Sequence, residues 1–286
     1  MAEKSDRSNG ILPSVLGAIG KTPLVALDRI ARGQPGRVLL KLEFFNPGFS
    51  IKDRIALKIV EDAERAGKLR PGGTVIELTS GNTGTGLAVV CAVKGYHLIA
   101  VMSEGNSVER RRMLAALGAR VELVPQAVGA RSGQVSKEDL DLVDRRTDEL
   151  TRELDAFRAD QFHNPSNVEA HELTTGAEIW EQTEGQVGAF VGAVGTAGTF
   201  MGIARALKKR RPSIRTYAVE PASAPILAGG EVVDTRHKIQ GAGYAQVPPL
   251  WDPSFCDGYL GISDDEAIDA ARRLAREEGI FGGFST

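Results

Sequence analysis

Apolar positions along this chain follow two alternating periods. Short β-rich runs at 37–42, 74–78, 97–102 and 120–124 alternate with stretches at 50–66, 84–94 and 108–117, whose apolar residues recur at helical spacing. Such alternation predicts βαβ units and a parallel sheet. A second set follows, with a helix at 168–183, a strand at 189–194, a helix at 199–210, a strand at 215–220 and a helix at 264–278. Between the sets, residues 127–158 are polar and read as a loop followed by a charged helix. The expected class is α/β, in two lobes, without internal repeats or low-complexity tracts.

The start of the first long helix carries candidate chemistry. In Asn46-Pro47-Gly48-Phe49-Ser50-Ile51-Lys52-Asp53-Arg54, Ser50 reads as the N-cap and Asp53 as its N3 partner, a capping box opening the apolar run Ile51, Ile55, Ile59, Val60 and Ala63. Lys52 then falls at N2. There the positive end of the helix dipole and any burial disfavour the ammonium form, leaving an amine able to act as nucleophile or base near neutral pH. The competing reading is an ordinary solvated lysine.

Two glycine-rich turns stand at strand-to-helix junctions, where backbone amides and a helix dipole can hold anions. Thr79-Ser80-Gly81-Asn82-Thr83-Gly84 combines hydroxyls and an amide, which suits a carboxylate and a ring substituent. Gly195-Thr196-Ala197-Gly198-Thr199 offers compact backbone donors and two hydroxyls, which suits one phosphate. Either turn alone is a weak signal, since tight βα turns use glycine for conformation and Ser or Thr for capping. Glu104 and Glu220 stand at roughly the spacing of a dinucleotide site, but no Gly-x-Gly-x-x-Gly accompanies them and no Walker lysine follows either turn.

Composition narrows the partners. Across 286 residues, 35 basic and 37 acidic side chains leave a formal net charge of −2, which gives no general attraction to nucleic acid or acidic lipid. Residues 1–6 are polar, and apolar runs such as 86–93 are too short to span a bilayer, so a cytoplasmic protein acting on small molecules is expected. Cys91 and Cys256 form no paired framework, and His97, His163, His171 and His237 are scattered, so no metal site is assigned. Arg110-Arg111-Arg112 and Lys208-Lys209-Arg210-Arg211 read as solvated helix faces, Trp180 and Trp251 as core or interface residues.

Taken in order, several segments carry a resemblance. Ile19-Gly20-Lys21-Thr22-Pro23-Leu24-Val25, Lys41-Leu42-Glu43, the Lys52 segment, Thr79 to Gly84 and Gln161-Phe162-His163-Asn164-Pro165-Ser166-Asn167 come first. Thr174-Thr175-Gly176-Ala177-Glu178-Ile179-Trp180, Gly195 to Thr199, Lys238-Ile239-Gln240-Gly241 and Gly283-Phe284-Ser285 complete the series. The chain resembles the cysteine synthase (O-acetylserine sulfhydrylase) and cystathionine β-synthase family of fold-type II pyridoxal-phosphate enzymes, over most of its length.

That resemblance implies a two-lobed, tryptophan synthase β-like fold with parallel-rich sheets flanked by helices. Residues 1–47 and 156–286 would form the larger cofactor-binding lobe, and 48–155 a smaller, mobile substrate-binding lobe. Lys52 would carry pyridoxal 5'-phosphate and move the Cα proton. Gly195, Thr196, Ala197, Gly198 and Thr199 would bind its phosphate, and Asn82 its ring hydroxyl. Thr79, Ser80, Thr83 and Gln161 would surround the substrate α-carboxylate, with Asn46 helping to hold the lysine segment. Ser285 would face the pyridine nitrogen, where a serine, unlike a carboxylate, does not favour a pyridinium. The implied reaction is β-replacement on an activated L-serine through an α-aminoacrylate, with O-acetyl-L-serine and sulfide giving L-cysteine as the leading pair. β-Elimination, a cystathionine- or diaminopropionate-type synthesis, and a cofactor-bearing binding protein without turnover stay open. A homodimer is expected by family analogy.

Several positions depart from the family pattern. Ala197 replaces a glycine usual in the phosphate loop, Ser103-Glu104-Gly105-Asn106-Ser107 replaces a Pro-Glu turn, residues 129–134 make a longer segment, and Gly241-Ala242-Gly243-Tyr244 varies a glycine-rich stretch. These changes fit a specialised donor or nucleophile. The sequence stops at Thr286, directly after Ser285, where the family continues into a further helix, so an exposed core face and a fraying pyridine partner are expected there.

Overall fold

A computed structural model of the chain describes residues 10–128, 137–235, 237–239, 241–243 and 246–286. The polar start 1–6, the longer segment 129–134, Gln240 and Tyr244 lie outside the described residues. In chain order the elements are β1 (Leu24–Ala26), β2 (Leu39–Lys41), α1 (Lys52–Arg65), β3 (Thr74–Leu78), α2 (Asn82–Lys94), β4 (His97–Ser103), α3 (Val108–Ala116), β5 (Arg120–Val124), α4 (Lys137–Glu153) and β6 (Phe157–Arg158). They continue with α5 (Ser166–Ala170), a π-helical turn (His171–Thr175), α6 (Gly176–Gln182), β7 (Ala189–Ala193), α7 (Gly198–Arg210), β8 (Arg215–Pro221), β9 (Gly258–Ile262) and α8 (Asp264–Glu278).

The chain divides into two compact units, one comprising the chain up to Thr22 with Glu43–Ser166, the other Pro23–Leu42 with Asn167–Thr286. The first is built on a parallel sheet ordered β5-β4-β3-β6. Ile76, Ile99, Val101, Val124, Val143 and Leu150 fill its core. The apolar stripe of α1 behaves as its spacing predicts, with Ile55, Ile59, Val60 and Ala63 all buried. Against it lies α2, which is buried continuously from Thr83 to Cys91. The two approach closely at Gly86, where an added Cβ would sit 3.0 Å from the Lys52 carbonyl oxygen and 3.1 Å from the Asp53 nitrogen. Glycine at this point lets α2 seat the first turn of α1.

The second unit carries a parallel sheet ordered β7-β8-β9, and antiparallel β1 and β2 form a two-stranded sheet of their own. Val168, Val194, Ala197, Phe200, Met201, Ala204 and Ala218 make one core cluster behind β7 and α7. Helix α8 begins with a capping box in which the Ser263 hydroxyl accepts from the Glu266 N–H and the Glu266 carboxylate accepts from the Ser263 N–H.

The structure revises three local expectations. Residues 168–183 do not form one helix, because the ladder loosens into a π turn at His171–Thr175, where Gly202 of α7 presses against the chain. The run at 37–42 is a three-residue strand in the antiparallel pair. Ser50 does not head a capping box: its hydroxyl accepts from the Lys52 N–H, while Asp53 reaches back to the N–H of Gly48. Lys52 is therefore the first residue of its helix, one position earlier than the capping box implied. Among the described residues, no helix is long and apolar enough to cross a membrane.

Candidate active site

Lys52, Thr79, Ser80, Asn82, Thr83 and Gln161 belong to the first unit, and residues 195–199 and Ser285 to the second. Burial alone pulls the Lys52 amine down to about 8 from its usual 10.5, with no charged neighbour contributing. A desolvated cation with nothing beside it that neutralises it gives up its proton more readily than a solvated lysine, so the free amine is reached from about pH 8. The turn before it is held by Asp53, fully buried, whose carboxylate accepts from the Gly48 N–H. Burial and nearby Glu43 push that carboxyl up to about 6, despite the Gly48 hydrogen bond and Arg54.

Behind this turn stands a polar network. Arg54 grips both carboxylate oxygens of Glu43 at 2.7 and 2.8 Å and donates to Thr22 Oγ1 at 3.1 Å, while the Thr22 hydroxyl donates to Glu43 Oε1 at 2.6 Å. Asn46 Oδ1 accepts from the Gly20 N–H at 2.8 Å, and its amide donates to Glu43 Oε2 at 3.0 Å. The segments around Gly20, Glu43 and Lys52 are thus cross-linked through side chains that cannot move singly without leaving a buried polar group unmet.

In the turn between β3 and α2, Thr79 Oγ1 accepts from the Gly84 N–H at 3.0 Å, closing the turn from inside. Gly81 occupies the cap of α2 and has no side chain to cover the first-turn N–H groups. Thr83 donates its hydroxyl to Gln161 Oε1 at 2.6 Å. That bond brings two of the four expected carboxylate residues together across 78 positions. Ser80 is half-buried beside them, and Asn82 is exposed at the first position of α2.

Glu77, on β3, is a buried carboxyl next to the expected Gln161 that sequence reasoning passed over. It is buried in a strand, and its Oε2 accepts from the Asp160 N–H at 2.7 Å, one residue before Gln161. Burial raises its carboxyl to about 8, with Arg158 opposing and Asp160 adding to the rise. The native state therefore holds an extra proton between about 4.5 and about 8, and stability falls as pH rises through that window. Glu77→Gln keeps an acceptor oxygen for the Asp160 N–H and removes the buried anion. Urea titrations should find it close to wild type at pH 5 and more stable at pH 9, by on the order of 3 kcal/mol. Parallel losses of stability in both proteins between those pH values would show that Glu77 is not desolvated.

In the second unit, β7 runs into a loop whose Ala197 has φ +69° and caps α7. Thr196 is buried, and Gly195 and Thr199 are half-buried. The Asn167 amide donates to Thr196 Oγ1 at 2.9 Å, and the Thr199 hydroxyl lies 3.1 Å from His171 Nε2. A Cβ on Gly198 would fall 1.8 Å from Asn167 Oδ1, so glycine there is required by the neighbouring side chain. Ser285 lies in an exposed terminal turn and makes no hydrogen bond to residues 195–199. Ala197 is buried in the core cluster.

Comparison with known proteins gives the family. A family model described as pyridoxal-phosphate dependent enzyme matches residues 15–286. The chain belongs to that family. Within the family, the chain is 44% identical over 269 residues to a cysteine synthase of Staphylococcus aureus, covering 94% of this chain and 83% of the relative. The structure of a hydrogen sulfide-producing enzyme from Fusobacterium nucleatum superposes with a TM-score of 0.89 at 39% identity, covering 98% of this chain and 89% of the other. O-acetyl serine sulfhydrylase isoform 3 from Entamoeba histolytica gives 0.88 at 36% identity, over 100% of this chain and 83% of its own. The chain is thus a fold-type II enzyme that depends on pyridoxal phosphate, and its residues fit that group. It offers a desolvated, uncompensated amine for the aldehyde, and a helix-capping loop with two hydroxyls for the phosphate.

Proposed function

We propose that the protein catalyses β-replacement on O-acetyl-L-serine with sulfide, releasing acetate and forming L-cysteine. The observation that carries this reading is the desolvated Lys52 amine at the head of α1, in the same unit as the hydroxyl-lined turn of Thr79 and Thr83. Likeness to a cysteine synthase and to an O-acetyl serine sulfhydrylase supports the choice of donor and nucleophile.

Bound at Lys52, pyridoxal phosphate supplies an electron sink that weakens the Cα–H bond of an attached amino acid. Residues 195–199 would hold its phosphate and Asn82 its ring hydroxyl, and Ser285 would be a neutral partner for the ring nitrogen that does not favour a pyridinium. Thr79, Ser80, Thr83 and Gln161 bind the substrate carboxylate and orient Cα. The Lys52 amine would take the Cα proton, and acetate would leave from Cβ with the Cβ–O bonding pair. After sulfide adds at Cβ, the same amine returns the proton. A smaller lobe, residues 48–155, moves to exclude water during these steps. The working protein is a cytoplasmic homodimer acting on small molecules.

Purified protein loaded with pyridoxal phosphate and given O-acetyl-L-serine plus sulfide should form acetate and nearly as much L-cysteine, the small difference appearing as pyruvate. Pyruvate and ammonia formed at the same rate with and without sulfide would replace synthesis by elimination. A product formed only with a thiol or nitrogen nucleophile would reassign the second substrate.

A further inference from the structure

Two fully buried side chains outside the expected site residues, Asn167 and His171, stand four positions apart on the chain that runs from α5 into the π turn. That spacing places them on one helical face. Asn167 donates to Thr196 Oγ1 at 2.9 Å, and His171 Nε2 meets Thr199 Oγ1 at 3.1 Å. Both threonine hydroxyls of the loop at the head of α7 are therefore engaged from behind, each by a different side chain of the same segment. Glycines make this approach possible. A Cβ at Gly202 would lie 2.4 Å from the Val168 carbonyl oxygen and 2.5 Å from His171 Cβ, and Gly198 is pinned against Asn167 in the same way.

We propose that Asn167 and His171 are positioning residues that turn the hydroxyl protons of Thr196 and Thr199 toward a bound phosphate monoester. This rests on the reading of residues 195–199 as the cofactor's phosphate loop. A threonine hydroxyl has one proton and two lone pairs, and a phosphate oxygen is an acceptor, so the hydroxyl helps only when its proton points outward. The Asn167 amide, as donor, occupies a lone pair of Thr196 Oγ1 and leaves that proton for the ligand. His171 does the same for Thr199 when its hydrogen is on Nε2. Nδ1 is then an acceptor, and the Thr175 hydroxyl lies 2.9 Å from it, able to donate. With the Thr175 hydroxyl donating to Nδ1, His171 keeps its hydrogen on Nε2 and Thr199 presents its own proton.

A histidine that only fills space between α7 and the π turn would not distinguish ligands with and without phosphate. Cofactor-free protein is therefore titrated with pyridoxal phosphate and, in parallel, with pyridoxal, and the bound phosphate is followed by its 31P resonance. Asn167→Asp keeps shape but exchanges the donor for an acceptor, which turns the Thr196 proton inward; pyridoxal phosphate should bind on the order of tenfold or more weakly, with a shifted resonance and pyridoxal unaffected. His171→Gln and Thr175→Val should each cost roughly fivefold to tenfold, again only for the phosphorylated ligand. Neither change should cost anything further once Thr199→Val is present. Equal losses for both ligands, or losses that add to that of Thr199→Val, would reduce His171 to scaffold and overturn the proposal while leaving the phosphate loop intact. Unchanged affinity in Thr199→Val itself would remove the loop from phosphate binding, and the positioning role with it.

Discussion

Lys52→Met should abolish turnover and, at the same time, make the cofactor-free protein more stable at pH 7. The two effects share one cause. The fold holds the amine near 8 against a usual 10.5, so between those values the unfolded chain binds a proton that the native state does not. Stability therefore rises with pH through that window, and the cost of the buried ammonium is fully present below about pH 8. Removing the charge should recover up to about 3 kcal/mol at pH 7, less whatever the altered side chain loses in packing. Guanidinium titrations at pH 7 and pH 10 check this, with the gap between variant and wild type narrowing at the higher value. Equal stabilities at pH 7 would mean the amine is not desolvated, and a fully active Lys52→Met enzyme would remove Lys52 from the chemistry.

Gly202→Ala should be the most damaging single methyl in the second unit. The added carbon meets the backbone of Val168 and Glu172 as well as His171, at 2.4 to 2.7 Å, and backbone atoms cannot rotate aside. α7 must lift from the π turn, at a cost of about 3 kcal/mol. Because Thr199 and Gly198 ride on the same helix, affinity for pyridoxal phosphate should fall with stability. Gly188→Ala, where nothing lies within 4 Å, is the matched control and should be neutral to within about 0.5 kcal/mol. A Gly202→Ala protein as stable as that control would show the contact to be loose.

Long amphipathic segments were legible because their signal is local. The helix read at 264–278 is α8, and the strands read at 74–78 and 120–124 are β3 and β5 with the same limits. β1 and β6 escaped because strands of three and two residues carry too few alternations to stand out from loops, and β9 because Gly258 and Gly261 dilute its β-rich pattern. The break inside 168–183 escaped for another reason: its packing partner is α7 at Gly202, which is distant in sequence. Around Lys52, Ser50 and Asp53 were the right residue types at the right spacing for a capping box, yet Gly48 competed for the carboxylate and won. The motif residues of the two turns could be read because each motif is contiguous. Their supports could not, because Glu77 meets Asp160 across 83 positions and His171 meets Thr199 across 28. One local clue was present in Asn167 and His171, four apart, facing Gly198 and Gly202, also four apart.

Ala197 holds a left-handed backbone that costs a non-glycine residue roughly 1–2 kcal/mol, and its methyl is buried in the core cluster of α7, a gain of about 0.8 kcal/mol. The burial offsets part of the strain in the folded state, and it also restricts how the loop can move. A glycine there could swing through either hand of the backbone map, whereas this alanine would have to draw its methyl out of the core to leave its present angle. The entropy of ordering the loop is consequently spent while the chain folds, and a ligand arriving later finds the cradle already set.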